Sequence, residues 1–96
     1  MKVVWSPRAQ IEFEGHLSFL ERDWGRMVAK KFFLRVLKLI DQIVVNPRMF
    51  VASSRHPDIR RCVINQKVTL YYRVKSNEIE LITFWLSQQN PSRLDI

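Results

Sequence analysis

The sequence is poor in the residues that usually carry site chemistry. One cysteine, Cys62, stands in 96 residues, so no internal disulfide framework forms and no cysteine-rich zinc cluster can be built. Cys62 lies in an apolar run and reads as a core or sheet residue; an unpaired cysteine fits a reducing, cytoplasmic setting. The two histidines, His16 and His56, lack metal-ligand spacing, so neither a metal nor any other cofactor is expected. Two glycines and four prolines leave no loop able to cradle a nucleotide, and they place most of the chain in regular elements. No serine sits in a nucleophile elbow. No stretch approaches the roughly 18 apolar residues of a membrane span, and no apolar run follows Lys2 as in a signal peptide. Acidic residues are also scarce: nine Asp and Glu against sixteen Lys and Arg give a net charge of +7. Such a surface attracts polyanions and acidic protein segments and repels further copies of itself.

What is present is periodicity. Lys2 to Trp5 reads as a short strand. Ser6 and Pro7 then form a helix start, with serine as N-cap and proline at the first helical position. Ala9, Phe13, Leu17, Leu20 and Trp24 make one apolar stripe. Glu12, Glu14 and Glu21 fall off it, toward solvent. Gly25 marks a turn, and a second helix runs from about Met27 to Val45. Its stripe is Ala29, Phe33, Val36, Ile40 and Ile43, widened by Val28, Phe32 and Leu39. Its outer face carries Lys30, Lys31, Arg35 and Lys38. Asn46 and Pro47 end it.

The period then changes from helical to alternating. Ile59 to Ile64, Val68 to Val74 and Ile79 to Leu86 read as three strands of an antiparallel meander, joined at Asn65-Gln66 and Lys75-Ser76-Asn77. Val68, Leu70, Tyr72 and Val74 point one way, and Thr69, Tyr71 and Arg73 the other. The low polarity of the last strand predicts a central place in the sheet. The fold class is therefore α+β, in the order β-α-α-β-β-β: one domain over residues 1–96, with a helical hairpin on one face of a small antiparallel sheet.

The remaining chemistry is basic and aromatic. Arg60, Arg61, Lys67, Tyr71, Tyr72, Arg73 and Trp85 gather on the sheet, with Tyr71 and Arg73 on one face and Arg60 or Arg61 brought beside them by register. Arginine forks bind phosphate and aromatic rings stack on bases, so this surface suits RNA. Equally, it suits plain packing, with the arginines paired to Glu78 and Glu80, which share a strand face.

Three segments carry a family resemblance: "WSPRAQIEFEGHLSFLER", "HPDIRRCVINQKVTLYYRVKSNEIELITFW" and "QQNPSRL". Together they resemble the RelE/ParE superfamily of bacterial type II toxin-antitoxin toxins over nearly the whole chain. The resemblance implies the same β-α-α-β-β-β fold, a cytoplasmic location and a cognate acidic antitoxin that wraps the toxin. It implies one of two targets. RelE-like members cut mRNA on the ribosome with basic residues and a C-terminal tyrosine, whereas ParE-like members poison DNA gyrase. Thr69 stands where the RelE pattern has an arginine, Ser87, Gln88 and Gln89 where it has a basic residue, and Leu94 near its tyrosine. The functional surface expected from this comparison comprises Arg60, Arg61, Lys67, Tyr71, Arg73, Trp85, Gln88, Gln89 and Arg93. The alternatives are an attenuated or non-enzymatic interaction module of the same fold, or a general RNA-binding protein. Oligomeric state is not legible in the sequence.

Overall fold

The computed structural model describes residues 1–87 and Leu94. Six elements follow one another: β1 (Lys2–Trp5), α1 (Pro7–Trp24), α2 (Arg26–Val45), β2 (Ile59–Val63), β3 (Val68–Val74) and β4 (Glu78–Leu86). They form a helical hairpin packed on a four-stranded sheet of order β1-β4-β3-β2. The meander β2-β3-β4 is antiparallel. β1 pairs with β4 in parallel, from Lys2 opposite Glu78 to Trp5 opposite Leu81. The sheet is thus mixed, where the sequence pattern suggested an antiparallel one. The reason is topological. The hairpin carries the chain to the far edge, and the meander folds back until its last strand lies against the first, so β4 is central as its apolar sequence predicts.

Local chemistry fixes each joint. The Ser6 hydroxyl accepts from the Ala9 amide at 2.9 Å, which caps α1, and donates to the Ile82 carbonyl at 2.8 Å, which ties the helix start to β4. Gly25 has φ +97°, a conformation that side chains rarely adopt, and it is the single residue between the two helices. Asn65 Oδ1 accepts from the amides of Lys67 and Val68 at 2.7 and 3.0 Å, which sets the register of the β2–β3 hairpin.

One irregularity matters. Tyr71 faces Thr83 and Tyr72 faces Leu81, so Ile82 is the extra residue of a β-bulge. The bulge falls where β1 ends. Beyond it the outer edge of β4 has no strand beside it among the described residues, and α1 takes over: Ser6 satisfies the Ile82 carbonyl, and the Glu12 carboxylate accepts from the Phe84 amide at 3.0 Å. An uncovered strand edge invites pairing with other chains. A helix laid along it removes that hazard.

The core lies between hairpin and sheet. Trp5, Phe13 and Phe84 meet with ring centroids 5.2–5.6 Å apart, and Phe32 stands 6.0 Å from Phe13. On α1, burial declines along the helix. Ala9 and Phe13 are buried and Leu17 and Leu20 half-buried, while Trp24 is 64% exposed, because the stripe outlasts the core beneath it. On α2 the buried stripe is Ala29, Phe32, Val36, Ile40 and Ile43. Phe32 takes the place expected for Phe33, which faces outward beside α1 and is 38% exposed. Adjacent phenylalanines at one helical position give a periodicity argument no way to choose between them. No helix among the described residues is long and apolar enough to cross a membrane.

Candidate functional site

The alternation of β3 holds. Val68, Leu70 and Tyr72 are buried against the hairpin, while Thr69, Tyr71 and Arg73 sit partly exposed on the other face. The basic and aromatic residues of the expected surface do not form one patch on that face. They separate into five environments.

Arg73 is held by its neighbours. Its Nε donates to Asp58 Oδ2 at 2.9 Å and its guanidinium to Glu80 Oε1 at 3.2 Å. Lys75 extends the network, with Nζ 3.6 Å from Glu80 and 3.9 Å from Glu78. This end of the open face therefore carries alternating charge, which neutralises Arg73 locally.

Arg60 leaves the surface. It sits opposite buried Tyr72, and Nη1 donates to the carbonyls of Phe50 and Arg48 at 2.6 and 3.2 Å. It fastens the segment after α2, as does the Tyr72 hydroxyl, which donates to the Pro47 carbonyl at 2.8 Å. The expectation that either arginine reaches Tyr71 is met by Arg61 alone, because consecutive strand residues point to opposite faces.

Arg61 is exposed and sits opposite Tyr71. The two line a cavity of about 120 Å³ with Ser53, Ser54, Arg55, His56 and Leu94. Its wall is the loop before β2, which backbone hydrogen bonds hold in place: Ser53 to the Ile59 carbonyl at 2.7 Å, Ile59 to that of His56 at 2.9 Å, and Arg61 to that of Val51 at 3.0 Å.

Lys67 and Trp85 belong elsewhere. Lys67 lines a cavity of about 480 Å³ beside α1, with Glu12, His16, Phe19, Phe32 and Phe84 among its walls. Trp85 is 8% exposed, and its buried indole N–H has no acceptor among the described residues. The Arg8 guanidinium lies 5.8 Å from its ring centre. A ring in that position is closed to stacking on a base, which corrects the sequence-based expectation. Gln88, Gln89 and Arg93 lie outside the described residues.

Two residues of the larger cavity escaped the sequence reading. Glu12, expected in solvent, is half-buried and bonded to β4. His16 packs edge-on against Phe32 at 4.8 Å. Burial, with Lys67 nearby, lowers its pKa below 6.5. The only hint in the sequence was that both sit one helical turn from Arg8 or each other, beside the apolar stripe. Among the described residues no three of His, Cys, Asp and Glu cluster as a metal site.

Comparison with known proteins follows the same lines. A family model described as ParE toxin of type II toxin-antitoxin system, parDE, matches residues 3–91. The chromosomal ParDE TA system from P. aeruginosa contains a chain similar in structure, with TM-score 0.75 and 17% identity, covering 90% of this chain and 95% of that one. The YoeB/ParE toxin from Agrobacterium tumefaciens gives 0.64 and 20%, over 90% and 98%. The heterotetrameric YoeB-YefM toxin-antitoxin complex from Staphylococcus aureus gives 0.63 and 18%, over 88% and 94%. No curated protein sequence matches.

Proposed function

The chain belongs to the ParE toxin family of type II toxin-antitoxin systems, and from that membership we propose that it arrests growth by engaging DNA gyrase and is neutralised by an acidic antitoxin. One observation carries the choice of target: the disposition of the arginines. Cleavage of RNA without metal requires a free cation beside the scissile phosphate and a group that moves the proton. Here Arg73 is engaged by Asp58 and Glu80 and Arg60 by two carbonyls, and Thr69 occupies the strand position where the RelE-like pattern has arginine, so that of the sheet arginines Arg61 alone remains unengaged among the described residues, where the RelE-like pattern uses several basic residues. A protein-binding mode of action needs none of these groups free. The antitoxin reading is supported by the +7 charge and by relatives found in complexes, the S. aureus YoeB-YefM assembly among them.

A second reading, mRNA cleavage, is favoured by one fact: His56 shares the small cavity with Arg61, an imidazole beside a cation. Purified protein decides between them. It is added to gyrase with supercoiled plasmid, and in parallel to a translation reaction with mRNA ends mapped. The expected result is accumulation of gyrase-linked DNA breaks with no new mRNA ends. Ribosome-dependent cuts with gyrase unaffected would reverse the assignment.

A further inference from the structure

The side chains of Ser54, His56, Arg61 and Tyr71, which line the small cavity, make no hydrogen bond or ion pair with one another or with other described residues. Arg61 joins no ion pair among the described residues. Two residues from Tyr71 on β3, Arg73 engages both Asp58, just before β2, and Glu80 on β4. Among the described residues the acids of this face are therefore engaged one step away, and Arg61 is left without one. Tyr71, Ser54 and His56 line the same space, each with a polar side chain able to donate a hydrogen bond. The loop that carries Ser54 and His56 is fixed by its backbone bonds to β2, so the donors need little ordering when a ligand arrives.

Resting on the antitoxin reading above, we propose that this cavity is a carboxylate-binding site that anchors one acidic side chain of the neutralising partner. An arginine fork flanked by hydroxyl donors matches the two oxygens of a carboxylate. Size selects against a nucleic-acid backbone. A volume of about 120 Å³ takes a single anionic group rather than a run of phosphates. The site gives the basic surface a point of specificity that general charge attraction lacks.

The test is a titration of the isotope-labelled full chain, followed by NMR, with a blocked hexapeptide alternating glutamate and leucine. Inorganic phosphate and an RNA hexanucleotide are run at the same ionic strength. The expected shifts cluster at Ser54, His56, Arg61 and Tyr71. Arg61→Gln weakens peptide binding at least tenfold, Arg61→Lys less because charge survives without the fork, and Tyr71→Phe about threefold. Lys38→Gln, on the outer face of α2, costs under about twofold. Melting temperatures of all four variants check that each is folded. Equal losses in Arg61→Gln and Lys38→Gln would reduce the effect to bulk charge and overturn the site. RNA or phosphate acting at lower concentration than the peptide would overturn the choice of carboxylate. No gyrase or ribosome is present, so a failed titration leaves the target assignment standing, and a failed target assay leaves the titration standing.

Discussion

Glu12 and Thr83, 71 residues apart in sequence, are joined by a 2.6 Å hydrogen bond from the threonine hydroxyl to the glutamate carboxylate. The same oxygen accepts from the Phe84 amide at 3.0 Å, and the other carboxylate oxygen takes Arg8 Nε at 3.3 Å. Thr83 is fully buried. One helix side chain thus satisfies two donors on the stretch of β4 that β1 leaves uncovered. Its position in the fold is that of a missing strand.

Glu12→Ala strands both donors, and a buried unsatisfied group costs about 1–3 kcal/mol. The expected loss in a chain of this size is about 4–8 °C of melting temperature per kcal/mol. Glu12→Gln keeps a carbonyl acceptor and is expected to lose less. Equal melting temperatures for wild type and Glu12→Ala would show that water replaces the carboxylate at the edge.

Arg60 and Arg61 are neighbours with opposite duties. Arg60→Ala frees the carbonyls of Arg48 and Phe50 from a charged donor, with an expected cost of about 1.5–3 kcal/mol. Arg61→Ala removes an exposed side chain and is expected to stay within about 0.5 kcal/mol of wild type. Chemical denaturation measures both. The reverse order would mean that the β2 register had been misjudged.

Alkaline pH should loosen the fold. Burial pushes the Cys62 thiol from 9.0 up to about 11 and the Tyr72 hydroxyl from 10.0 up to about 12. The unfolded chain therefore releases these protons first, and stability falls as pH rises from about 9 toward 12. Below pH 9 both groups are neutral in either state and the contribution is complete. Native Cys62 is expected to resist alkylation at pH 8 and to react at once in denaturant. Rapid labelling of the native protein would contradict its burial.

Acid acts through His16 with the opposite dependence. Its pKa is lowered by burial first and by Lys67 second, so its share of stability is present above pH 6.5 and is lost as pH falls through the depressed value. NMR titration of the imidazole is expected to give a midpoint below 6.5, and His16→Gln to flatten that part of the stability profile. A midpoint at or above 6.5 would mean that the ring is solvated rather than packed on Phe32.

Much of this molecule was legible from pattern alone. The Ser6-Pro7 start, the Gly25 turn, the Asn65 turn and the alternation of β3 are local devices, because capping, positive φ and strand pleat act over a few residues. The candidate site was less so. Strand alternation separates Arg60 from Arg61, yet it does not say which of them meets Tyr71; that depends on the pairing of β2 with β3. Trp85 reads as a stacking platform until Arg8 is found beside its ring.

The sequence by itself determined the elements, their order and the basic charge, since each follows from propensity and composition near at hand. Only the tertiary structure decided the parallel pairing of β1 with β4, the edge role of Glu12, the division of labour among Arg60, Arg61 and Arg73, and the choice of Phe32 over Phe33. These depend on contacts between residues far apart in the chain. A side chain's partner there is set by how the layers pack, which no local pattern encodes.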